Sequence, residues 1–202
     1  MKKILIIIFT ISLLSGCTVS KKNLETTLNT KVNEQITELE IPSHNEYRNN
    51  YSFYLPHNAA VEERYLSNDI IKVNQHRMYL FVDLYAYKNE LNISYILNSE
   101  AVYHNTFEFD ENKFDIIIYD QGDNYTIFAS NDYARISTNA KVGYVPDIVE
   151  SMVTILSSLS VDDKIVLNDP TFEEAIYKEV IDIFKSKVNP ENIITQSEET
   201  DE

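Results

Sequence analysis

The residues of this 202-residue chain that could do chemistry are four histidines, one cysteine and a few acidic pairs. His44, His57, His76 and His104 stand apart in sequence. None joins another histidine or a carboxylate in a metal-ligand motif such as H-E-x-x-H, so each reads as a loop or surface side chain. The run Asp120-x-Gly122-Asp123-Asn124 has acidic residues in the manner of a calcium loop. It lacks the alternating ligands and the distal bidentate glutamate of one, and a hairpin turn fits it better. Asp162-Asp163 lies beside a helix end and starts the next turn. No G-x-S-x-G elbow occurs, and Ser151, Ser157 and Ser158 fall within a helical pattern as polar-face residues. Asn92-Ile93-Ser94 and Asn124-Tyr125-Thr126 match the glycosylation acceptor by chance. Only Gly122 and Gly143 follow residue 16, which removes the Gly-rich phosphate loop. No catalytic residue, metal ligand or cofactor site is expected.

Cys17 is the one thiol, and its surroundings give it a specific fate. Lys2 and Lys3 form a positive start, residues 4–14 are mostly apolar, and Leu14-Ser15-Gly16-Cys17 closes the run. Eleven residues of helix rise about 16 Å against a hydrocarbon core of roughly 30 Å, too little to span it. Small residues then mark a cleavage site. Over residues 1–17 this arrangement resembles a bacterial lipoprotein signal with its lipobox. The resemblance implies cleavage of the Gly16–Cys17 bond, a diacylglyceryl group on the Cys17 sulfur, palmitate-type acylation, and anchoring on the extracytoplasmic face of the cell membrane. Two acyl chains anchor stably where one binds only marginally. No cysteine would remain for a disulfide, a pattern shared with many Gram-positive exported proteins.

Charge narrows the partners. Two of the 17 basic residues lie in the leader, leaving 15 against 32 acidic ones, a net of −17 for residues 17–202. Such a surface repels nucleic acid, which is excluded as a partner. A hydrophobic content of 44% with 14 Tyr and 9 Phe is enough for a packed core.

The elements that must position these residues follow from periodicity. Residues 17–46 read as the lipidated cysteine and a solvated tether, although Leu24, Leu28, Val32 and Ile36 recur every four residues and leave an amphipathic helix open. The folded domain is placed at 47–168. Residues 51–55 predict a strand stopped by Pro56, and 70–73 a strand leading into a turn at Asn74. Residues 59–66 fit two helical turns capped by Asn58, or 63–66 an extended edge. Residues 77–87 alternate strictly, with Met78, Leu80, Val82, Leu84 and Ala86 facing a core. The opposite row holds Tyr79, Phe81, Tyr85 and Tyr87, the candidate partner surface. An antiparallel meander runs from 101 to 140, with the β-branched stretch 114–119 as a central strand. Residues 146–159 show helical spacing behind Pro146. Residues 161 and 165–167 suggest a short strand, 169–189 a C-terminal helix, and 190–202 an acidic disordered tail.

Strands first and helices late predict an α+β fold, an antiparallel sheet packed by a C-terminal amphipathic helix with a further helix near the C-terminus. From 51 to about 167 the order of elements resembles the PsbP-like fold, at the level of pattern, which implies an exported accessory protein. The expected function is a non-enzymatic binding or accessory module of the cell envelope, with the membrane through Cys17 and another envelope protein as partners. A small-ligand receptor and an envelope-directed hydrolase are the alternatives.

Overall fold

The computed structural model describes residues 21–38, 42–65, 67–91, 100–109 and 112–168. Cys17 and the leader, residues 92–99, and the expected C-terminal helix and tail lie outside them. Two antiparallel sheets and four α-helices are described, and the chain is α+β with strands predominating.

The large sheet has seven strands in the order β3 (Ala59–Arg64), β4 (Asn68–Val73), β5 (His76–Val82), β9 (Ala134–Ala140), β8 (Tyr125–Ser130), β7 (Asn112–Asp120) and β6 (Ala101–Phe109). A small sheet joins β1 (Glu46–Tyr47), β2 (Tyr51–Phe53) and β10 (Ser160–Val161). The helices are α1 (Leu24–Glu38), α2 (Leu84–Lys88), α3 (Val145–Ser157) and α4 (Asp163–Val166). The meander β6–β9 follows the sequence pattern, while residues 59–64 form an edge strand that begins four residues before the extended stretch expected from 63 and replaces the two helical turns. β7, expected to be central, is second from the edge, paired with β6 and β8. Its isoleucines are still buried, because both neighbours supply packing surface.

Turn chemistry fixes the registers. Asn74 takes φ 54° between β4 and β5, and Gly122 takes φ 86° between β7 and β8, where a side chain would be strained. The Gly122 amide donates to Asp120 Oδ1 at 2.8 Å, closing an Asx-type turn. One face of the large sheet presents Ile71, Met78, Leu80, Ile116, Ile118, Ile127 and Ile136 to a single apolar cluster. Ile148, Val149, Met152, Ile155 and Leu156 of α3 belong to the same cluster. The other face carries Ile70, Phe81, Ile117 and Tyr119, buried but outside it.

Three expectations need correction. Residues 24–38 are a helix rather than a spacer, and Leu24, Leu28 and Val32 are buried in the core cluster. The four-residue period that looked weak in isolation gains its stability from tertiary packing. Lys31 Nζ then reaches Asp147 Oδ1 at 2.9 Å and Glu150 Oε2 at 3.0 Å, linking α1 to α3. The strand expected over 77–87 ends at Val82. Asp83 Oδ1 accepts the Ala86 amide at 2.8 Å, and this N-cap turns the chain into α2. The short strand expected at 165–167 is instead α4 and its C-terminal turn, because the side chain of Asp162 caps the amides of Lys164 and Ile165.

Registers also define the two ends of the large sheet. Asp120, Tyr125 and Ala140 stand side by side at one end, next to the 121–124 turn and Tyr144. Val82 and Ala134 stand at the other, beside α2 and the 131–133 turn.

Candidate functional site

The candidate site is a cleft of about 420 Å³ beside the small sheet, at the α2 end of the molecule. Tyr47, Arg48, Tyr51 and Ser52 line it from β1 and β2, and Ser160 to Lys164 line it from β10 and α4. β2 pairs with both β1 and β10, which brings the segments together. The Asp162 amide donates to the Asn50 carbonyl at 2.8 Å and fixes α4 against the turn before β2.

Arg48 anchors the floor. Its side chain is only 9% exposed, and the Asp69 side chain opposite is 0% exposed. Arg48 Nε donates to Asp69 Oδ1 at 3.0 Å and Oδ2 at 3.1 Å. Nη1 donates to Glu46 Oε2 at 3.1 Å and to the Tyr47 carbonyl at 3.0 Å. Nη2 lies 3.0 Å from Asp69 Oδ1 but is poorly aligned for a hydrogen bond. The guanidinium also sits 5.5 Å from the Phe53 ring centroid. Tyr51 donates its hydroxyl to Asp69 Oδ2 at 2.9 Å. Burial pulls the Arg48 pKa down, but the hydrogen bond to Asp69, the Asp69 charge and the hydrogen bond to Glu46 outweigh it, and the net shift is upward. Burial, reinforced by the Asp69 charge, pushes the Tyr51 phenol far above its ordinary range. The guanidinium is thus held rigid and already neutralised by Asp69 and Glu46, which makes it a poor free anion site.

Ser52 offers a different chemistry. Its Oγ lies 2.8 Å from His44 Nδ1. A hydroxyl beside an imidazole is the first pair of a nucleophile–base arrangement, and catalysis needs a third group to orient the base and donors for an oxyanion. The His44 carbonyl accepts from the Tyr47 hydroxyl at 2.7 Å. Sequence reasoning missed this pair, since the two residues are eight apart and meet only because β2 folds back beside the segment before β1.

The remaining histidines are spread out. His104 Nε2 lies 3.4 Å from Asp115 Oδ1 across the β6–β7 ladder, on an exposed edge. His76 lies 4.8 Å, ring to ring, from Tyr144, and His57 is exposed. Two of the four histidines thus have a hydroxyl or carboxylate partner, Ser52 for His44 and Asp115 for His104. Among the described residues no three His, Cys, Asp or Glu side chains converge to hold a metal.

The expected aromatic row is divided. Tyr79 and Phe81 lie on β5, with Phe81 buried and the Arg135 guanidinium 5.7 Å from its ring. Tyr85 and Tyr87 lie on α2. Tyr87 donates to Asp163 Oδ1 at 2.5 Å and meets Tyr133 edge to face at 5.0 Å. The hydrogen bond to Asp163, with partial burial, pushes the Tyr87 phenol up to about 12. Asp83, a poor strand former with a capping side chain, was the sequence signal for this break.

At the opposite end of the sheet Lys21 Nζ donates to Asp120 Oδ2 at 2.8 Å and to the Gly122 carbonyl at 3.2 Å. The turn that had the look of a calcium loop is thus contacted by a lysine. The Lys21 hydrogen bond, followed by the Gly122 amide, lowers the Asp120 pKa. No described helix is long and apolar enough to cross a membrane. No protein-family model matches the chain, and comparison with curated proteins finds no match.

Proposed function

We propose that the chain is an exported lipoprotein, anchored by acyl chains on Cys17, whose folded part is a non-enzymatic binding or accessory module of the cell envelope. The observation that carries this reading is the succession Lys2-Lys3, apolar residues 4–14, and Leu14-Ser15-Gly16-Cys17. The folded part is read as one α+β body with α1 and α3 layered across one face of the large sheet, in keeping with their shared apolar cluster. Its likeness to the PsbP-like fold belongs to the same proposal. The partner is another envelope protein, since net charge opposes nucleic acid. Metabolic labelling with palmitate and membrane fractionation test the anchor. Wild-type chain should take label and pellet with membranes, and Cys17→Ser should do neither. Unchanged membrane retention of Cys17→Ser would sink the proposal.

The Ser52–His44 pair favours a second reading, an envelope-directed hydrolase. A fluorophosphonate probe distinguishes the two. Labelling of wild type that disappears in Ser52→Ala supports the hydrolase, and no labelling supports the binding module.

A further inference from the structure

We infer that the end of the large sheet carrying the Asp120–Tyr125 turn lies against the lipid surface, and that the cleft faces away from it. The inference rests on the lipid-anchor reading of Cys17 and adds an orientation to it. Three residues separate Cys17 from Lys21, and four residue steps span at most about 14 Å. Lys21 itself belongs to the folded body. Its ammonium is tied to Asp120 and Gly122, and Leu24, three residues on, is buried in the core. The anchor therefore enters the folded body directly at the turn end. The opposite end lies a strand length away, roughly 20 Å at about 3.3 Å per residue.

The surfaces of the two ends fit this placement. Lys22 and Lys141 are exposed at or near the turn end, beside the Lys21–Asp120 pair. There Tyr144 is 50% exposed and Val102 48% exposed, and an aromatic and an aliphatic side chain near lysines suit the headgroup region. Acidic groups are present too, but Asp120 is paired with Lys21, and Asp147 with Lys31. Asp123 and Glu100 remain exposed. At the far end the exposed carboxylates Asp132, Asp162 and Asp163 stand among the exposed Lys113 and Lys164, so charge alone does not separate the two ends, and the short reach from Cys17 to Lys21 decides the orientation. With the turn end down, Arg48, Ser52 and the rest of the cleft are presented outward, where an envelope partner or soluble ligand has access.

The test uses full-length lipidated protein in vesicles of phosphatidylglycerol and phosphatidylcholine whose headgroups carry a nitroxide. The lipid consumes Cys17, so a single introduced thiol can carry a fluorophore. Asn124→Cys labels the turn end and Asp132→Cys the far end, both at exposed positions. Fluorescence should be quenched severalfold more strongly at 124 than at 132. A Gly/Ser insert of about twenty residues after Ser20, with an end-to-end reach near 25 Å, should largely abolish the contrast. Protein that floats with the vesicles but is quenched equally at both positions, or more at 132, overturns the orientation alone. Protein that does not float removes the lipid-anchor reading and this orientation with it.

Discussion

Arg48 and Asp69 form the least exposed ion pair among the described residues, and their energetics differ from those of the surface pairs. Removing one partner from a buried pair leaves an uncompensated charge, which costs about 3–5 kcal/mol, whereas replacing both with apolar groups can be neutral. Arg48→Met should therefore lower unfolding free energy in urea by about that amount, and Arg48→Met/Asp69→Leu should recover much of the loss. Equal losses in the single and double variants would mean that the pair itself supplies the stability. Tyr87 gives a second expectation, in pH. Its folded pKa is raised to about 12 from an ordinary value of 10. Its proton is bound more tightly in the folded state, so the linked stability is complete below pH 10 and is lost as pH rises through about 12. Urea midpoints should fall across that window, and less steeply in Tyr87→Phe. An identical slope in the variant would assign the titration to other tyrosines. Neither pair was legible in the sequence, because Arg48 and Asp69 are 21 residues apart and Tyr87 and Asp163 are 76 apart.

At the scale of elements, the sequence was most readable where one period ran long. The meander β6–β9 and helix α3 follow their two-residue and helical patterns closely. The misreadings occur where a single polar residue or a distant contact decides the outcome. Strict alternation continues through Asp83, so periodicity alone extended β5, while the capping bond to the Ala86 amide ends it. Asp83→Ala should cost about 1 kcal/mol, the usual worth of an N-cap, as read from the thermal midpoint. Helix α1 shows the other failure. Its apolar residues are separated by polar ones, and an isolated stretch of that kind forms little helix in water. Only the tertiary structure shows that Leu28 is 0% exposed. Leu28→Ala should destabilise the protein by about 2–5 kcal/mol, as for other core truncations. A change below half a kilocalorie would return the segment to the status of a solvated tether.

At the scale of the molecule, charge is the property that composition states most directly and structure qualifies most. The chain carries a formal net charge of −15 at pH 7, and such an excess opposes the compact state through self-repulsion. The described ion pairs act in the opposite sense, yet most involve well-exposed side chains, such as Lys21–Asp120 and Arg77–Glu62. Exposed pairs contribute only about 0–1 kcal/mol each and are themselves screened by salt. Diffuse repulsion should therefore dominate the salt response. As sodium chloride shortens the screening length from about 30 Å at 0.01 M to about 3 Å at 1 M, stability should rise. Urea unfolding at neutral pH across that range measures it. A fall in stability with salt would instead show that the local pairs, with the Lys31 link between α1 and α3 foremost, outweigh the repulsion of the whole surface.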